Sequence, residues 1–286
     1  MKKLYIAAVL ALIAVLALSL AACNNKENLS SESVLKPRTT AKTALDTYIY
    51  NNFQQPYNII VTYNYIDADF EMGKYFYPPT EAKVQPMLEI VKKVWIDAYT
   101  EVAGANFIKE VAPRQISLIG GYNVNPSGTI TLGFADSGMK ITLFNVDQLD
   151  VTKHAATRQY FHTIQHEYCH IINQKKPYSS EYGKITPSGY TANWYNVREA
   201  DANAAGFITP YSMLNDIEDF AEMTSGMLSM SKTAWDAKIN AISSATGRES
   251  IRKKEAFVVA YFKSEWNIDI YQLQAKVEQQ MLSVLQ

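Results

Sequence analysis

Hydrophobic and polar residues are arranged differently in the two halves of this 286-residue chain. Before residue 150, short runs rich in Ile, Val and Tyr are bounded by Gly, Pro and Ser, which is the pattern of strands. These runs predict strands at 58–66, 115–119, 129–134 and 140–145. Residues 80–103, between the first two strands, carry apolar side chains at helical spacing. We therefore expect a small mixed sheet and one long helix in the first half.

After residue 150 the apolar spacing becomes helical and stays so to the end of the chain. It predicts helices at 153–175, 194–205, 214–230, 233–244, 249–263 and 270–285. No internal repeat interrupts this order. Because strands come first and helices follow, the chain is expected to belong to the α+β class, with a helical C-terminal part.

The helix at 153–175 has clear signals at both ends. Residues 153–175 contain neither Gly nor Pro, and Pro177 cannot continue a helix. Thr152 stands just before the first helical residue, where a hydroxyl commonly caps the free backbone N–H groups. We therefore predict that Thr152 is the N-cap and that the helix ends just before Pro177.

This helix contains the string His166-Glu167-Tyr168-Cys169-His170, which has the form H-E-x-x-H. Positions four apart on a helix are offset by about 40° and about 6 Å, so the two imidazoles point at one locus. Two such histidines can bind Zn²⁺ while the glutamate between them acts as a general base. We predict that His166 and His170 are zinc ligands and that Glu167 is catalytic.

A catalytic zinc site needs a third protein ligand. No histidine follows His170, so a third histidine downstream is excluded and a carboxylate is expected. Two helical segments offer one. Glu199 lies 29 residues after His170, and Glu218 lies 48 residues after it. The residues alone leave both open.

The second of these segments resembles part of lethal-factor-type zinc endopeptidases, where Tyr-x6-Glu-x-Phe-Ala-Glu follows the metal helix. The match here runs from Tyr211 through Glu218 to Glu222. The resemblance implies that Glu218 is the third ligand and that the Tyr211 hydroxyl stabilises the transition state. It also implies that Glu222, one turn beyond Glu218, orients a metal-bound histidine.

The order strand, helix, three strands and H-E-x-x-H helix is similar to the N-terminal half of the zincin fold. The whole chain also resembles the zinc-binding metallopeptidase lipoproteins of the Bacteroidetes type, found with TonB-dependent importers and called substrate-import-associated zinc metallohydrolases. This resemblance implies a zincin-like α+β fold. It also implies an importer, with its associated lipoprotein, as a partner.

Two other residues of the helix could extend a metal site. His162 lies one turn before His166, but one ion cannot bridge three histidines over about 12 Å of helix rise with bonds near 2 Å. We expect His162 to line the cleft or to pack. Cys169 points in a different direction from the two histidines, so we interpret it as a small buried apolar residue. His154, two turns further from the motif, has no predicted role.

The N-terminus has the form of an export signal. Lys2 and Lys3 precede an apolar run at 4–20, and Leu-Ala-Ala-Cys23 follows at once. This resembles a bacterial lipoprotein signal, in which cleavage leaves Cys23 lipid-modified. An uncleaved membrane anchor is the alternative, since the run approaches spanning length. The small residues before Cys23 favour cleavage.

Cleavage before Cys23 would remove 22 of the 286 residues and leave 264. We expect a signal at 1–22, a lipidated tether at 23–45 and one metallohydrolase domain at 46–286. Within that domain, about 46–176 would hold the sheet and metal helix, and about 190–286 the helical part. The formal net charge is −1, which does not favour a nucleic-acid partner. A lipid anchor predicts an outer-membrane location, on a face that the sequence does not specify.

Two functions fit these features. One is a cell-envelope zinc peptidase acting on proteins or peptides. The other is a lipoprotein that captures substrate for an importer around a structural or vestigial zinc. A structural zinc site needs neither a base nor an open coordination position, so the presence of Glu167 and Tyr211 favours the peptidase. For that function we expect residues 139–145 to form the exposed sheet edge that pairs with an extended substrate.

Overall fold

The computed structural model describes residues 42–64, 74–136 and 138–286. The predicted signal and the lipidation site at Cys23 lie outside these residues. The helices are α1 Ala44–Ile49, α2 Gln55–Tyr57, α3 Glu81–Val91, α4 Ala98–Ala103, α5 Phe107–Val111, α6 His154–Lys175, α7 Glu199–Ala204, α8 Asp216–Leu228, α9 Lys232–Asn240, α10 Ala245–Trp266 and α11 Ile270–Val284. The strands are β1 Ile60–Thr62, β2 Gln115–Leu118, β3 Asn123–Val124, β4 Ile130–Thr131, β5 Gly133–Asp136 and β6 Lys140–Leu143. Within the described ranges, no helix has the length and apolar character needed to cross a membrane.

The main sheet has the strand order β1-β2-β6-β5. Strands β1, β2 and β6 are parallel, and β5 joins β6 antiparallel, with Ala135 opposite Ile141. Strands β3 and β4 form a separate two-stranded ribbon. The mixed sheet confirms the α+β prediction, and the helical C-terminal half follows it as expected.

The prediction for the sheet edge is wrong. The segment 139–145 contains β6, which lies inside the sheet between β2 and β5. The edge strands are β1 and β5. Strand β5 lies outside β6 because the chain reverses at Gly138, whose φ of 68° suits glycine, and the Met139 N–H donates to the Asp136 carbonyl at 2.8 Å. The single strand predicted at 129–134 is also wrong, since it divides into β4 and the start of β5.

Helix α6 crosses the core and confirms the long helix predicted at 153–175. Tyr168, on its buried face, packs against Trp95 and Tyr99, with ring centroids 4.8 and 4.9 Å apart. The predicted cap is wrong. Lys153 occupies the N-cap position without a side-chain bond, and the Thr152 hydroxyl donates to Asp150 Oδ1 at 2.6 Å instead.

The long helix predicted at 80–103 is present but includes a π-helical stretch at Lys92–Asp97 between α3 and α4. The helix predicted at 194–205 divides into a 3₁₀ turn at Trp194–Asn196 and the short helix α7. Helix α8 packs on α6, and a second small core of Ala202, Phe207 and Met213 supports the chain between α7 and α8. The α6 and α8 pair carries the polar groups described next.

Candidate metal centre

Helix α6 brings the two motif histidines to one point. The His166 Nε2 and His170 Nε2 atoms are 3.1 Å apart, as the four-residue spacing predicts. Both side chains are largely buried, with 7% and 12% of their surface exposed. Tyr168, on the opposite side of the helix, packs in the core and so fixes the side of the helix from which both imidazoles project.

Glu218 reaches the same point from the first turn of α8. Asn215 caps this helix, its Oδ1 accepting the Glu218 N–H at 2.9 Å, and the positive end of the helix dipole favours a carboxylate here. Glu218 Oε2 lies 3.0 Å from His166 Nε2 and 3.3 Å from His170 Nε2. Burial opposes ionisation, but the hydrogen bonds with both histidines outweigh it and lower the pKa of Glu218 to about 2.

The alternative carboxylate lies elsewhere. Glu199 begins α7 with a side chain that is 58% exposed, and its Oε1 is 2.5 Å from the Lys238 ammonium. The structure thus groups Glu218, and not Glu199, with His166 and His170. An exposed ion pair of this kind contributes little stability and needs no metal.

The three converging atoms have the donor set and spacing of a zinc site. Four ligands around Zn²⁺ at about 2.0–2.1 Å lie about 3.3 Å from one another, and the three atoms here are separated by 3.0 to 3.3 Å. Two imidazole nitrogens and one carboxylate oxygen make up a known catalytic set that leaves one position open.

The hydrogen bonding also favours a proton or a metal ion at this point. Glu222 Oε1 lies 2.8 Å from His166 Nδ1, and a carboxylate accepts, so Nδ1 carries the proton. The lone pair of His166 Nε2 then faces His170 Nε2 and Glu218 Oε2, both acceptors in their metal-binding forms. A proton or a metal ion must lie between them. Burial lowers the pKa of His166, but the two glutamates outweigh burial and raise it well above its usual range, so a proton competes with a metal here.

Both carboxylate oxygens of Glu222 form hydrogen bonds. Oε1 accepts from His166, and Oε2 accepts from the Thr209 hydroxyl at 2.7 Å. Burial opposes its charge, but His162 and His166 lower the pKa of Glu222 well below its usual range. The structure therefore places Glu222 where the resemblance put it, beside a histidine of the motif.

The Glu167 side chain projects from α6 toward strand β5 at the edge of the sheet. An ideal Cβ added to Gly133 would come within 2.8 Å of Glu167 Oε1 and 2.5 Å of Thr163 Cγ2, so only glycine lets β5 lie this close. The Ala135 N–H donates to the Glu167 carboxylate. Burial, with Glu218 nearby, raises the pKa of Glu167 despite the two histidines and the Ala135 bond that lower it, which makes this carboxylate a stronger base.

Tyr211 packs on His166, the first histidine of the motif, from a 3₁₀ turn before α8. Its ring stacks on His166 with centroids 5.8 Å apart and contacts Trp194 edge-on at 4.8 Å. Burial and the neighbouring Glu218 and Glu167 raise the pKa of Tyr211, so its phenol stays protonated and can donate. His162 lines the cleft beside Glu222, and Cys169 is completely buried in the core.

A cleft of about 510 Å³ is lined by His166, Glu167, Tyr211 and Glu222 of this centre. The β3–β4 ribbon forms one wall, Gln159 and Thr163 of α6 form the floor, and Trp194 and Tyr195 form the opposite wall. The sequence pattern does not mark these wall residues, Gly133 or Thr209 as part of a site. Trp194 was assigned to a helix, and nothing local distinguishes Gly133 or Thr209 from ordinary strand and loop residues.

Comparison with known proteins gives a consistent result. A family model described as a putative zinc-binding metallo-peptidase matches residues 38–271. A crystal structure of a putative zinc-binding metallo-peptidase from Bacteroides caccae is similar over 88% of this chain and 97% of its own, with 29% identity and a TM-score of 0.69. No curated protein matches the chain.

Proposed function

This chain belongs to the putative zinc-binding metallo-peptidase family, and we propose that it is a zinc peptidase that hydrolyses peptide bonds in the cleft above α6. One observation carries the proposal. His166 Nε2, His170 Nε2 and Glu218 Oε2 lie within 3.3 Å of one another, and Glu167 projects from the same helix between the two histidines.

These residues divide the chemistry between them. His166, His170 and Glu218 would hold a zinc ion, which polarises a carbonyl and lowers the pKa of water toward about 7. Glu167 accepts a proton from the attacking water and returns it to the leaving amine, a role suited to its raised pKa. Tyr211 donates a hydrogen bond to the oxyanion that forms on the substrate carbonyl, and this bond is stronger in the transition state than in the bound substrate.

Strand β5 supplies a surface for an extended substrate. The Phe144 N–H donates to the Leu132 carbonyl, and bonded pairs alternate along an antiparallel ladder. Gly133 and Ala135 therefore direct their main-chain groups away from β6, and the Ala135 N–H is used by Glu167. The Gly133 groups and the Ala135 carbonyl remain directed to the edge, where a peptide can pair as an added strand.

The walls of the cleft favour uncharged substrate side chains. Apart from the glutamates and histidines of the centre, the described residues that line it offer amides, hydroxyls, aromatic rings and aliphatic groups, with no Lys, Arg or Asp among them. A charged substrate side chain would lose water here without gaining a partner, which costs free energy.

A test of the activity uses residues 24–286 with a diverse peptide mixture, with and without a chelator. We expect one zinc per chain and chelator-sensitive cleavage beside uncharged residues. Glu167→Gln should keep the zinc but lose at least about a hundredfold in rate, because it removes the general base. Glu199→Gln, which alters an exposed carboxylate, is the matched control and should retain full activity.

Two results would contradict the peptidase. A zinc-loaded protein that cleaves no peptide in the mixture would favour the substrate-capturing lipoprotein. Cleavage that Glu167→Gln leaves unchanged would assign the activity to another group.

We also propose that the enzyme is anchored to the outer membrane by a lipid on Cys23 and acts beside a TonB-dependent importer. The signal-like sequence before Cys23 and the resemblance to importer-associated lipoproteins support this. Cys23→Ala should abolish incorporation of labelled fatty acid. An importer that co-purifies with the unmodified protein in detergent should not co-purify with this variant. Labelling that persists in the variant would refute the anchor.

A further inference from the structure

A third histidine of α6 takes part in the hydrogen bonds of the metal centre without facing the metal position. His162 lies one turn before His166, and its Nε2 is 2.9 Å from Glu222 Oε1. The same oxygen is 2.8 Å from His166 Nδ1. Glu222 therefore lies between two histidines of one helix, and Thr209 holds its other oxygen.

The chemistry of these contacts fixes the protons. An ionised carboxylate only accepts, so both ring nitrogens that face Oε1 must carry hydrogen. His162 then has its proton on Nε2, and its Nδ1 can accept from the Ser229 hydroxyl, whose Oγ is 3.5 Å away. Ser225 Oγ is 3.3 Å from His162 Nε2, so side chains of α8 and of its C-cap residue contact both ring nitrogens of His162.

This geometry excludes His162 as a further ligand of the same ion. His166 faces Glu222 and His162 with Nδ1, whereas Nε2, on the other side of the ring, faces His170 and Glu218. An ion bound at Nε2 is thus separated from His162 by the His166 ring and the Glu222 carboxylate. Glu222 is thus the hydrogen-bonded link between His162 and the ring of His166.

We propose that His162 is a positioning residue for the metal centre, which holds Glu222 in place and through it fixes the orientation and the Nδ1–H tautomer of His166. The proposal rests on the zinc site of the proposed function but not on peptide hydrolysis. A histidine oriented in this way presents its Nε2 lone pair to the metal with little loss of rotational freedom on binding. Removing the carboxylate partner of a metal-bound histidine typically weakens metal affinity by about 10–100-fold.

The test measures zinc affinity of the purified protein by competition with a chromogenic chelator. Glu222→Ala should lose about 10–100-fold in affinity, and His162→Ala about tenfold, because it loosens Glu222 without removing it. His162→Gln should stay within about threefold of the unmodified protein, since the Gln side-chain amide can donate to Glu222 near the place of Nε2. His154→Ala, a histidine removed from the exposed start of the same helix, is the matched control and should have no effect.

The double variant His162→Ala with Glu222→Ala distinguishes the proposed route from a separate one. If His162 acts through Glu222, the double variant should bind zinc within about twofold of Glu222→Ala alone. Effects that multiply would overturn the proposal, as would an affinity loss under twofold in His162→Ala.

Thermal unfolding of the zinc-free variants supplies a readout that separates positioning from general stability. The unfolding midpoint of zinc-free His162→Ala should stay close to that of the unmodified protein, while its zinc affinity falls. A large fall in the zinc-free midpoint that His162→Gln does not reverse would show a structural role and overturn the proposal. Failure of the unmodified protein to bind zinc would refute the proposed zinc site itself, which is a different outcome.

Discussion

Two faces of helix α8 carry buried acidic groups, and the two are neutralised in different ways. On one face Asp219 and Lys254 are both fully buried, and their Oδ2 and Nζ atoms are 2.6 Å apart. Lys254 also donates to the Gly206 carbonyl, and the Tyr190 hydroxyl donates to Asp219. On the other face Glu218 and Glu222 meet histidines, and neither forms an ion pair with any Lys or Arg that the structure describes.

The difference separates a cluster neutralised by a lysine of the chain from one that is a candidate metal centre. The Asp219 cluster contains its own cation, the Lys254 ammonium. The Glu218 cluster directs acceptor atoms at one point within 3.3 Å, and no Lys or Arg that the structure describes pairs with it. Buried charge by itself is therefore a weak sign of function, whereas buried acceptors that converge without a cation from the chain are a strong one.

The largest expected effect is a loss of stability on the face of α8 that carries Asp219. Lys254→Met should lower the free energy of unfolding by about 3–5 kcal/mol, because it leaves Asp219 buried without its cation. Burial already raises the pKa of Asp219 to about 6 even though Lys254 opposes the rise. Denaturant unfolding of zinc-free and zinc-loaded protein measures the loss, which should be similar in both.

A second substitution provides the control. Asp219→Asn combined with Lys254→Met should recover most of the lost stability, because no unpaired charge remains. A loss under about 1 kcal/mol in Lys254→Met would mean that the ion pair is not required, and the contrast between the two faces would fail.

On the face of α8 that carries Glu218 and Glu222, Glu218→Ala should weaken zinc binding by at least about a hundredfold. This exceeds the usual loss when a residue that only orients a metal ligand is removed. Glu199→Ala is the matched control and should change zinc affinity less than twofold, because Glu199 is exposed and paired with Lys238. Chelator competition measures both. The reverse order would make Glu199 the ligand and break the comparison.

The sequence predicts the parts of this centre that depend on local spacing. His166, Glu167 and His170 follow from the period of one helix, and the helix follows from 22 residues without Gly or Pro. The third ligand depends on the packing of α8 on α6, which no spacing determines, so Glu199 and Glu218 could be separated only by a resemblance.

The sheet shows the same limit. A strand's own residues show that it is a strand, but its position in the sheet depends on its partners. Residues 140–145 were therefore recognised as a strand and wrongly expected at the edge. The role of Gly133 depends on the approach of β5 to Glu167, a contact between distant parts of the chain. Thr152 has the chemistry of a cap, but Asp150 is nearer to its hydroxyl.

A smaller effect is expected at Tyr211, where a substitution should change the catalytic rate but not zinc binding. Tyr211→Phe should lower kcat by about ten- to a thousandfold, because it removes one donor to the oxyanion. KM and zinc content should change little, since the ring keeps its stacking on His166 and its contact with Trp194. Steady-state kinetics on a cleaved peptide measures both constants. A variant that loses substrate affinity but keeps its rate would show that the hydroxyl binds the ground state.

The smallest effect is expected at Cys169, which lies between the two motif histidines in the sequence but not in space. Its side chain is completely buried, its Sγ is 3.6 Å from Asn173 Nδ2, and burial raises the pKa of the thiol to about 12. A thiol held neutral is a poor metal ligand, because zinc binds the thiolate. Cys169→Ala should therefore leave zinc affinity within about twofold and lower the free energy of unfolding by about 1 kcal/mol, the usual cost of a small cavity. Chelator competition and denaturant unfolding on the same sample test both values. A tenfold loss of zinc affinity would place the sulfur in the metal centre, and the division of α6 into a metal face and a core face would then be wrong.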